Sequence, residues 1–227
     1  MDNLQAQIQE VRAKMAAAAR RGCRQIDDIT LVAVSKTVPP ERVDEALALG
    51  VTTFGESKLQ EAKAKIPLVS SRARWHMIGH LQTNKARVAV ELFELIHSVD
   101  SVKLAADLNK WAERVGKTQA VLLEINVSGE PSKFGIKPED LNAMLDPIVA
   151  LPRLEVRGLM TLAPFAEDAE KARPYFRRLR ELRDAVGLRE LSMGMSNDFE
   201  IAVEEGATIV RVGTAIFGER KHNEPEE

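Results

Sequence analysis

Eight short apolar runs, rich in Val, Ile and Leu, alternate along this chain with longer segments of helical period. The apolar runs lie at 30–36, 52–56, 74–80, 95–100, 119–126, 155–162, 190–196 and 208–218. Helices are predicted between them at 40–49, 57–66, 82–92, 101–115, 138–150, 166–186 and 197–205. This alternation is typical of parallel strands joined by crossover helices. Eight repeats favour a closed barrel, and an open doubly wound sheet is the alternative.

The length of 227 residues agrees with one such domain, since α/β barrels commonly take about 200–250 residues. At the N-terminus Leu4, Ile8, Val11 and Met15 recur at helical spacing and predict a surface helix. We therefore expect an α/β fold, a single (β/α)8 TIM-type barrel with an additional N-terminal helix. The domain should span residues 1–227, because no linker or low-complexity segment interrupts the series.

Composition narrows the functional classes. Hydrophobic residues make up 44% of the chain and charged residues 29%, as in ordinary globular proteins. The net charge of −2 provides no positive field for nucleic acid or an anionic membrane, and the arginine-rich segment 171–186 is interleaved with acidic residues, which indicates ion pairs on a solvated face. A single cysteine excludes an intramolecular disulfide, and neither a signal peptide nor a membrane-spanning run is evident. We expect a cytoplasmic protein.

Lys36 ends the first apolar run, in phase with Val32 and Val34. Alternation along a strand would place its amine on the inward face, at the end of the barrel where ligands bind. Partial desolvation lowers the pKa of a lysine amine and favours the neutral form that makes a Schiff base with an aldehyde. Taken alone, however, the pattern favours a lysine that snorkels to solvent.

Arg211 lies inside the last apolar run, in phase with Ile209 and Gly213. An unpaired charge in that position would be costly, so its guanidinium must find hydrogen-bond acceptors. A salt bridge to an internal carboxylate such as Glu124 is one solution, and a ligand is the other.

Small residues at the last two strand ends suggest a phosphate site. Gly213 and the hydroxyls of Ser196 and Thr214 would allow close approach of a phosphate after the seventh and eighth strands, where barrels often bind one. A helix beginning near Asn197 would add its N-terminal dipole. Glycine turns of this kind also occur without any ligand.

The third run places His76 and His80 four residues apart. On a strand this separation is about 13 Å, too far for both to bind one metal ion, so we expect no metal site. His80 and Asn84, with Gln82 and Lys85, form either a polar cluster at the ligand rim or simply a polar loop before the next helix. By themselves the residues favour the loop.

Five motifs, taken together, are specific enough to indicate a protein family. They are AVSKTVP at the first strand, FGE at the second, WHMIGHLQTNK at the third, GLMTLAP at the sixth and LSMGMSNDFEIAVEEGATIVRVGTAIFGER at the end. The sequence resembles the YggS/PROSC family of pyridoxal 5′-phosphate (PLP) binding, or PLP homeostasis, proteins, in order over about residues 8–220. The resemblance implies a barrel like the N-terminal domain of alanine racemase, with PLP held as a Schiff base.

By motif, the resemblance makes Lys36 the Schiff-base lysine and turns Arg211 toward the pyridine nitrogen. The other implied cofactor contacts are Ser196, Gly213 and Thr214 at the phosphate, Met160 and Met195 near the ring or phosphate, Ser57 after the second strand, and His80 and Asn84 at the rim. Ser57 stands where the family commonly has asparagine, in a motif that reads GEN. Its shorter side chain would reach the cofactor directly or through water.

The resemblance also bears on activity, because members of the family have no established turnover and are linked to vitamin B6 and amino-acid or keto-acid balance. Arg211 donates hydrogen bonds but cannot accept them, so it would leave the pyridine nitrogen unprotonated and weaken the ring as an electron sink. The only tyrosine, Tyr175, lies in a predicted surface helix, so a second racemase base is not evident.

We therefore expect a non-catalytic PLP-binding protein, without catalytic residues, that acts in vitamin B6 homeostasis. A single-domain amino-acid racemase using PLP is the alternative. A barrel aldolase that uses Lys36 on its substrate, and a pure interaction protein, are further possibilities. The expected partners are PLP and either PLP-dependent enzymes or a regulatory protein, with no nucleic acid and no membrane, and we expect a monomer.

Overall fold

The structure is a computed structural model that describes residues 4–218. Its eight parallel strands close into a barrel in the order of the sequence, because the last strand pairs with the first. The strands are β1 (Thr30–Val34), β2 (Thr53–Glu56), β3 (Arg74–Met77), β4 (Leu95–Val99), β5 (Gln119–Glu124), β6 (Leu154–Met160), β7 (Glu190–Ser192) and β8 (Ile209–Val212). The predicted TIM-type barrel is confirmed, and the open sheet is wrong.

Helices cover the outside of this barrel. They are α1 (Leu4–Arg21), α2 (Pro40–Ala48), α3 (Leu59–Lys65), α4 (Ala86–Leu92), α5 (Val102–Arg114), α6 (Leu141–Val149), α7 (Arg173–Ala185), α8 (Phe199–Glu204) and α9 (Thr214–Phe217). Short 3-10 turns lie at Ile26–Asp28, Ile66–Leu68, Thr83–Lys85, Pro138–Asp140 and Ala169–Ala172. The extra N-terminal helix is present as α1, and it buries the four apolar residues whose spacing predicted it.

Side chains of the strands alternate between the barrel interior and the layer beneath the helices. The apolar residues of the interior form a small cluster of their own, made of Val32, Leu95, Ala120, Leu122, Met160 and Ile209. Outward-facing strand residues such as Ala33, Val121 and Val210 instead join the larger core shared with the helices. The phase predicted for β1 and β8 is therefore correct, with Val32 and Ile209 inside.

Seven strands end earlier than predicted at the C-terminal mouth of the barrel, and β2 is the exception. The seven end at Val34, Met77, Val99, Glu124, Met160, Ser192 and Val212 instead of at 36, 80, 100, 126, 162, 196 and 218. Backbone conformation explains two of these ends, because Thr37 and Gly194 have φ angles of 66° and 89°, in the left-handed region that strands do not use. Residues 214–217 form α9 and not the end of a strand. Lys36 consequently lies in the loop after β1, not on it.

Ion pairs join α7 to the C-terminal end of α8, in addition to the pairs within segment 171–186 that its interleaved charges predicted. The carboxylate of Glu205, only 4% exposed, pairs with Arg173, Arg177 and Arg180. Arg173 also pairs with Glu204 at 2.7 Å. The positive charges of α7 are thus largely matched. In residues 4–218 no helix is both long and apolar enough to cross a membrane.

Candidate functional site

The C-terminal ends of the strands form one mouth of the barrel, here called the upper mouth. Parallel strands bring their carboxyl ends together, so the loops that follow β1, β2, β6, β7 and β8 all open there. In the β1–β8 pair Ala33 lies opposite Val212, and therefore the Lys36 loop and the Gly213–Thr214 segment begin side by side. Most of the residues predicted for a cofactor belong to these loops.

Arg211 projects from β8 into the interior and is only 3% exposed. One nitrogen of its guanidinium donates to the hydroxyl of Ser192 on β7, and the other donates to the carbonyl of Thr161 at 2.8 Å. Burial lowers the pKa of Arg211 to about 10, partly offset by the fields of Asp198 and Glu124, so the group stays charged at neutral pH. The expected inward position is confirmed.

Glu124 is not an ion-pair partner of Arg211 within the described residues, contrary to one of the two expectations. It is in phase with Ala120 and Leu122 on β5 and faces the same interior. One of its carboxylate oxygens is buried without a hydrogen-bond partner. Burial, reinforced by the nearby charge of Asp100, raises its pKa to about 7. Since β5 is three strands away from β8, the adjacent strand supplies the acceptor instead.

A chain of buried polar side chains continues from Arg211 toward the opposite end of the barrel. The hydroxyl of Ser192 lies 2.8 Å from Nδ1 of His97, and Nε2 of His97 lies 3.0 Å from Nδ1 of His76. Burial keeps the pKa of His97 well below its ordinary value and lowers that of His76 to about 3, so both rings are neutral. Sequence reasoning considered only His76 with His80 and missed this pair.

The residues predicted to hold a phosphate are brought together. The Ser196 hydroxyl oxygen accepts hydrogen bonds from the backbone N–H groups of Gly213 at 3.2 Å and Ala215 at 3.4 Å. Thr214, between them, is exposed at the start of α9. Because the Ser196 oxygen is occupied as an acceptor, its own hydrogen is available for an anion. This cluster therefore offers donors to the upper mouth.

The loop that carries Lys36 is held by a buried ion-pair network. Lys65 on α3 donates to the backbone carbonyl of Ser35 at 2.6 Å, and to carboxylate oxygens of Glu56 at 2.8 Å and Glu61 at 2.7 Å. The Ser35 hydroxyl also donates to Glu56, and the N–H of Thr37 donates to Glu61. Both neighbours of Lys36 are thus fixed, while Lys36 itself is half-buried.

The two methionines predicted to lie near a cofactor occupy different positions. Met160, at the end of β6, is 1% exposed and belongs to the apolar cluster inside the barrel, directly opposite Glu124 in the β5–β6 register. Met195 lies in the loop after β7 and is 37% exposed. It lines a small crevice with Phe165 and Asp198. Only Met160 is part of the barrel interior.

Ser57, His80 and Asn84 lie together on another side of the mouth. One surface cavity of about 450 Å³ is lined by Ser57 and His80, and a second of about 460 Å³ by His80 and Asn84. The His80 ring stacks on Phe134 with centroids 3.7 Å apart, and its Nδ1 lies 3.5 Å from Asp100. These contacts hold His80 at the mouth, but none of them joins it directly to Lys36 or Arg211, and the rim cluster stays a prediction.

The site shares its fold with a known enzyme domain. Residues 2–221 match the family model described as alanine racemase, N-terminal domain. The alanine racemase of Clostridium difficile superposes with a TM-score of 0.69 at 15% identity, covering 98% of this chain and 58% of that one. At this identity the likeness concerns the barrel alone.

Closer similarity is found to proteins of about the same length as this chain. The pyridoxal phosphate homeostasis protein of Aquifex aeolicus is 44% identical over 222 residues, which covers 95% of this chain and 97% of that protein. The pyridoxal phosphate homeostasis protein of Escherichia coli is 39% identical over 235 residues, which covers 98% of this chain and 99% of that protein. PipY of Synechococcus elongatus, solved with PLP bound, has a TM-score of 0.80 at 39% identity, over 91% of this chain and all of PipY. The chain therefore belongs to the pyridoxal phosphate homeostasis family of alanine-racemase-like barrels, the family that the sequence motifs resemble.

Proposed function

We propose that this chain binds PLP at the upper mouth through a Schiff-base linkage to Lys36, and that it acts as a non-catalytic PLP carrier in vitamin B6 and amino-acid or keto-acid homeostasis. One observation carries the proposal: Lys36, Arg211 and Ser196 lie at or just after the carboxyl ends of β1, β8 and β7, which are neighbours in the closed barrel, so an amine, a buried guanidinium and a hydroxyl belong to one side of the same mouth. PLP bound to the similar PipY barrel supports the choice of ligand.

The chemistry of these groups fits the proposed cofactor. Ser196 and Thr214 would hold the phosphate by donating from their hydroxyls to its oxygens, and Gly213, whose N–H already donates to Ser196, would allow the phosphate to approach the backbone closely. Arg211 would face the pyridine nitrogen, and Met160 would form an apolar floor beneath the ring. When bound, PLP supplies an aldehyde for the lysine amine and an electron-accepting ring. The Lys65 network fixes the backbone on both sides of Lys36 and so would orient its amine.

Two features argue against turnover by this site. The guanidinium of Arg211 donates at every nitrogen and so supplies no proton acceptor to a ring nitrogen, which weakens the ring as an electron sink and argues against transamination and decarboxylation, while racemisation stays compatible with it. Tyr175, the only tyrosine, lies half-buried on α7, outside the barrel. We therefore favour a carrier over a single-domain racemase, and we further propose one domain over residues 1–227, a monomer and a cytoplasmic location.

The test of binding is spectroscopic. Purified full-length protein incubated with PLP should show a visible absorption band that Lys36→Ala abolishes, while Lys63→Ala, an exposed lysine on α3, should retain it. Borohydride should then attach the cofactor permanently to the peptide that contains Lys36. A protein that stays colourless with excess PLP, or a label confined to another lysine, would refute the proposal.

A second measurement separates carrier from racemase. Protein loaded with PLP is incubated with L-alanine in deuterated water, and both Cα–H exchange and formation of the D-isomer are followed. A carrier should give neither above the level of free PLP. Sustained exchange with appearance of D-alanine would replace the carrier by the racemase alternative.

A further inference from the structure

A second cavity lies at the opposite end of the barrel, where the strands begin. It has a volume of about 320 Å³, within the range of about 300–1,000 Å³ typical of small-ligand sites. Its charged and polar lining includes His76, Arg74, Arg157, Asp28, Glu94 and Glu190. We call it the lower cavity. Nothing in the PLP-binding proposal requires it.

The charges that line the lower cavity are not fully paired with one another. Nε of Arg157 and Oε2 of Glu190 are both buried without a hydrogen-bond partner. Arg157 pairs with Glu155 at 2.8 Å, yet within residues 4–218 no hydrogen bond or ion pair joins it to Glu190 or Glu94, whose charges act on it. Burial raises the pKa of Glu190. An unsatisfied buried polar atom costs about 1–3 kcal/mol, so these atoms favour a partner.

The hydrogen-bond chain from Arg211 determines which nitrogen of His76 faces that cavity. The guanidinium can only donate, so Ser192 accepts from it, and Nδ1 of His97 is the one acceptor that residues 4–218 offer to the Ser192 hydrogen. His97 must then carry its hydrogen on Nε2 and donate it to Nδ1 of His76. Neutral His76 therefore has its hydrogen on Nε2, for which residues 4–218 provide no acceptor.

His76 is thus a polar side chain, 6% exposed, that lines the lower cavity with an unused donor. We propose that the lower cavity binds a small zwitterion such as a free α-amino acid, with its carboxylate on His76 Nε2 and the Arg157 guanidinium and its ammonium on Glu190. A simple anion would face the carboxylates of Asp28, Glu94 and Glu190 without compensation, and a simple cation would face two guanidiniums. A zwitterion satisfies both signs.

A purely structural plug is the competing explanation, because this end of a barrel commonly serves stability. A plug gains most when its buried charges pair with each other, since unpaired buried charge is destabilising. In the lower cavity the buried atoms of Arg157 and Glu190 lack partners. Among the described residues, Nε of Arg157 and the unused donor of His76 both lack an acceptor, whereas Oε2 of Glu190 lacks a donor.

The proposal is tested by calorimetric titration of the full-length protein freed of PLP, so the outcome is independent of the Lys36 linkage. Three probes are compared at equal concentration: L-alanine, acetate as the isolated anion and ethylammonium as the isolated cation. L-alanine should bind saturably, and acetate and ethylammonium at least about tenfold more weakly, because each lacks one charge-assisted contact. No saturable binding of L-alanine, or equal binding of acetate, overturns the proposal.

Variants locate the binding. Arg157→Gln and Glu190→Gln should each weaken L-alanine binding by about tenfold or more, whereas the matched control Arg153→Gln, exposed before β6, should not change it. Unfolding curves establish that each variant is folded. If neither substitution is tolerated, the imidazole ¹⁵N signals of His76 are followed in the wild-type protein, where added L-alanine should shift Nε2. An unmoved His76 signal, or unchanged affinity in both folded variants, refutes the site.

Discussion

Lys65→Met is the substitution whose effect follows most directly from the structure. The amine of Lys65 is 6% exposed and contacts Glu56, whose side chain is completely buried, together with Glu61 and the carbonyl of Ser35. Methionine has a similar length but cannot donate. The substitution therefore leaves the Glu56 carboxylate buried with the Ser35 hydroxyl as its one donor among residues 4–218.

The expected loss of stability is large. Removing one partner of a buried ion pair costs about 3–5 kcal/mol, because the other charge stays buried without compensation. For a domain of this size each kcal/mol shifts the melting temperature by about 2–4 °C, so Lys65→Met should melt roughly 6–20 °C lower. Since the same contacts fix the backbone around Lys36, the variant should also retain PLP more weakly.

The pH dependence of this loss provides an internal check. Burial already raises the pKa of Glu56, and removal of Lys65 should raise it further. The folded variant then binds a proton that the unfolded chain lacks, so its stability falls as pH rises. The deficit relative to wild type should therefore be greater at pH 8 than at pH 5.

Denaturant unfolding at both pH values measures this difference, with Lys63→Met as the matched control on the exposed side of α3. The control should lie within about 0.5 kcal/mol of wild type. A Lys65→Met protein as stable as its control, or a deficit that shrinks with rising pH, would show that the network does not hold the Lys36 loop as described.

Three further substitutions test other parts of the barrel. Glu124 has a pKa of about 7, compared with an ordinary value of 4.5, so ionising it destabilises the folded protein by about 3 kcal/mol. Between pH 5 and pH 8 the wild type should therefore lose about that much stability relative to Glu124→Gln, as measured by urea unfolding. Ser192→Ala removes one acceptor of Arg211 and should cost about 1–3 kcal/mol in the same assay. A Cβ at Gly79 would lie 2.4 Å from the carbonyl oxygen of Ser57, so Gly79→Ala should lower the melting temperature by several degrees, consistent with about 1–3 kcal/mol.

Each of these expectations has a contrary outcome. Parallel pH profiles of wild type and Glu124→Gln would mean that this carboxyl ionises freely in the folded protein. A Ser192→Ala variant as stable as wild type would remove the reason to regard the polar chain as an intact network. An unchanged melting temperature for Gly79→Ala would show that the Ser57 segment can move aside.

The sequence alone determined the architecture and the inward phase of its key residues. Eight apolar runs with intervening helical segments require crossover connections, and a parallel sheet of that length is stable when it closes. Strand alternation is a local property, so the inward position of Arg211 could be predicted from Ile209 two residues earlier. The family motifs are likewise short stretches of sequence, so they could be identified without the three-dimensional structure.

The contacts across the interior were decided only by tertiary structure, because they depend on which strands are neighbours and on their register. Because of the strand order and register, Arg211 donates a hydrogen bond to the hydroxyl of Ser192 on the adjacent β7 and not to the carboxylate of Glu124, which lies three strands away. They also joined His97 on β4 to His76 on β3. The alternation of the strands predicts which residues face inward, but the three-dimensional packing determines which of them meet.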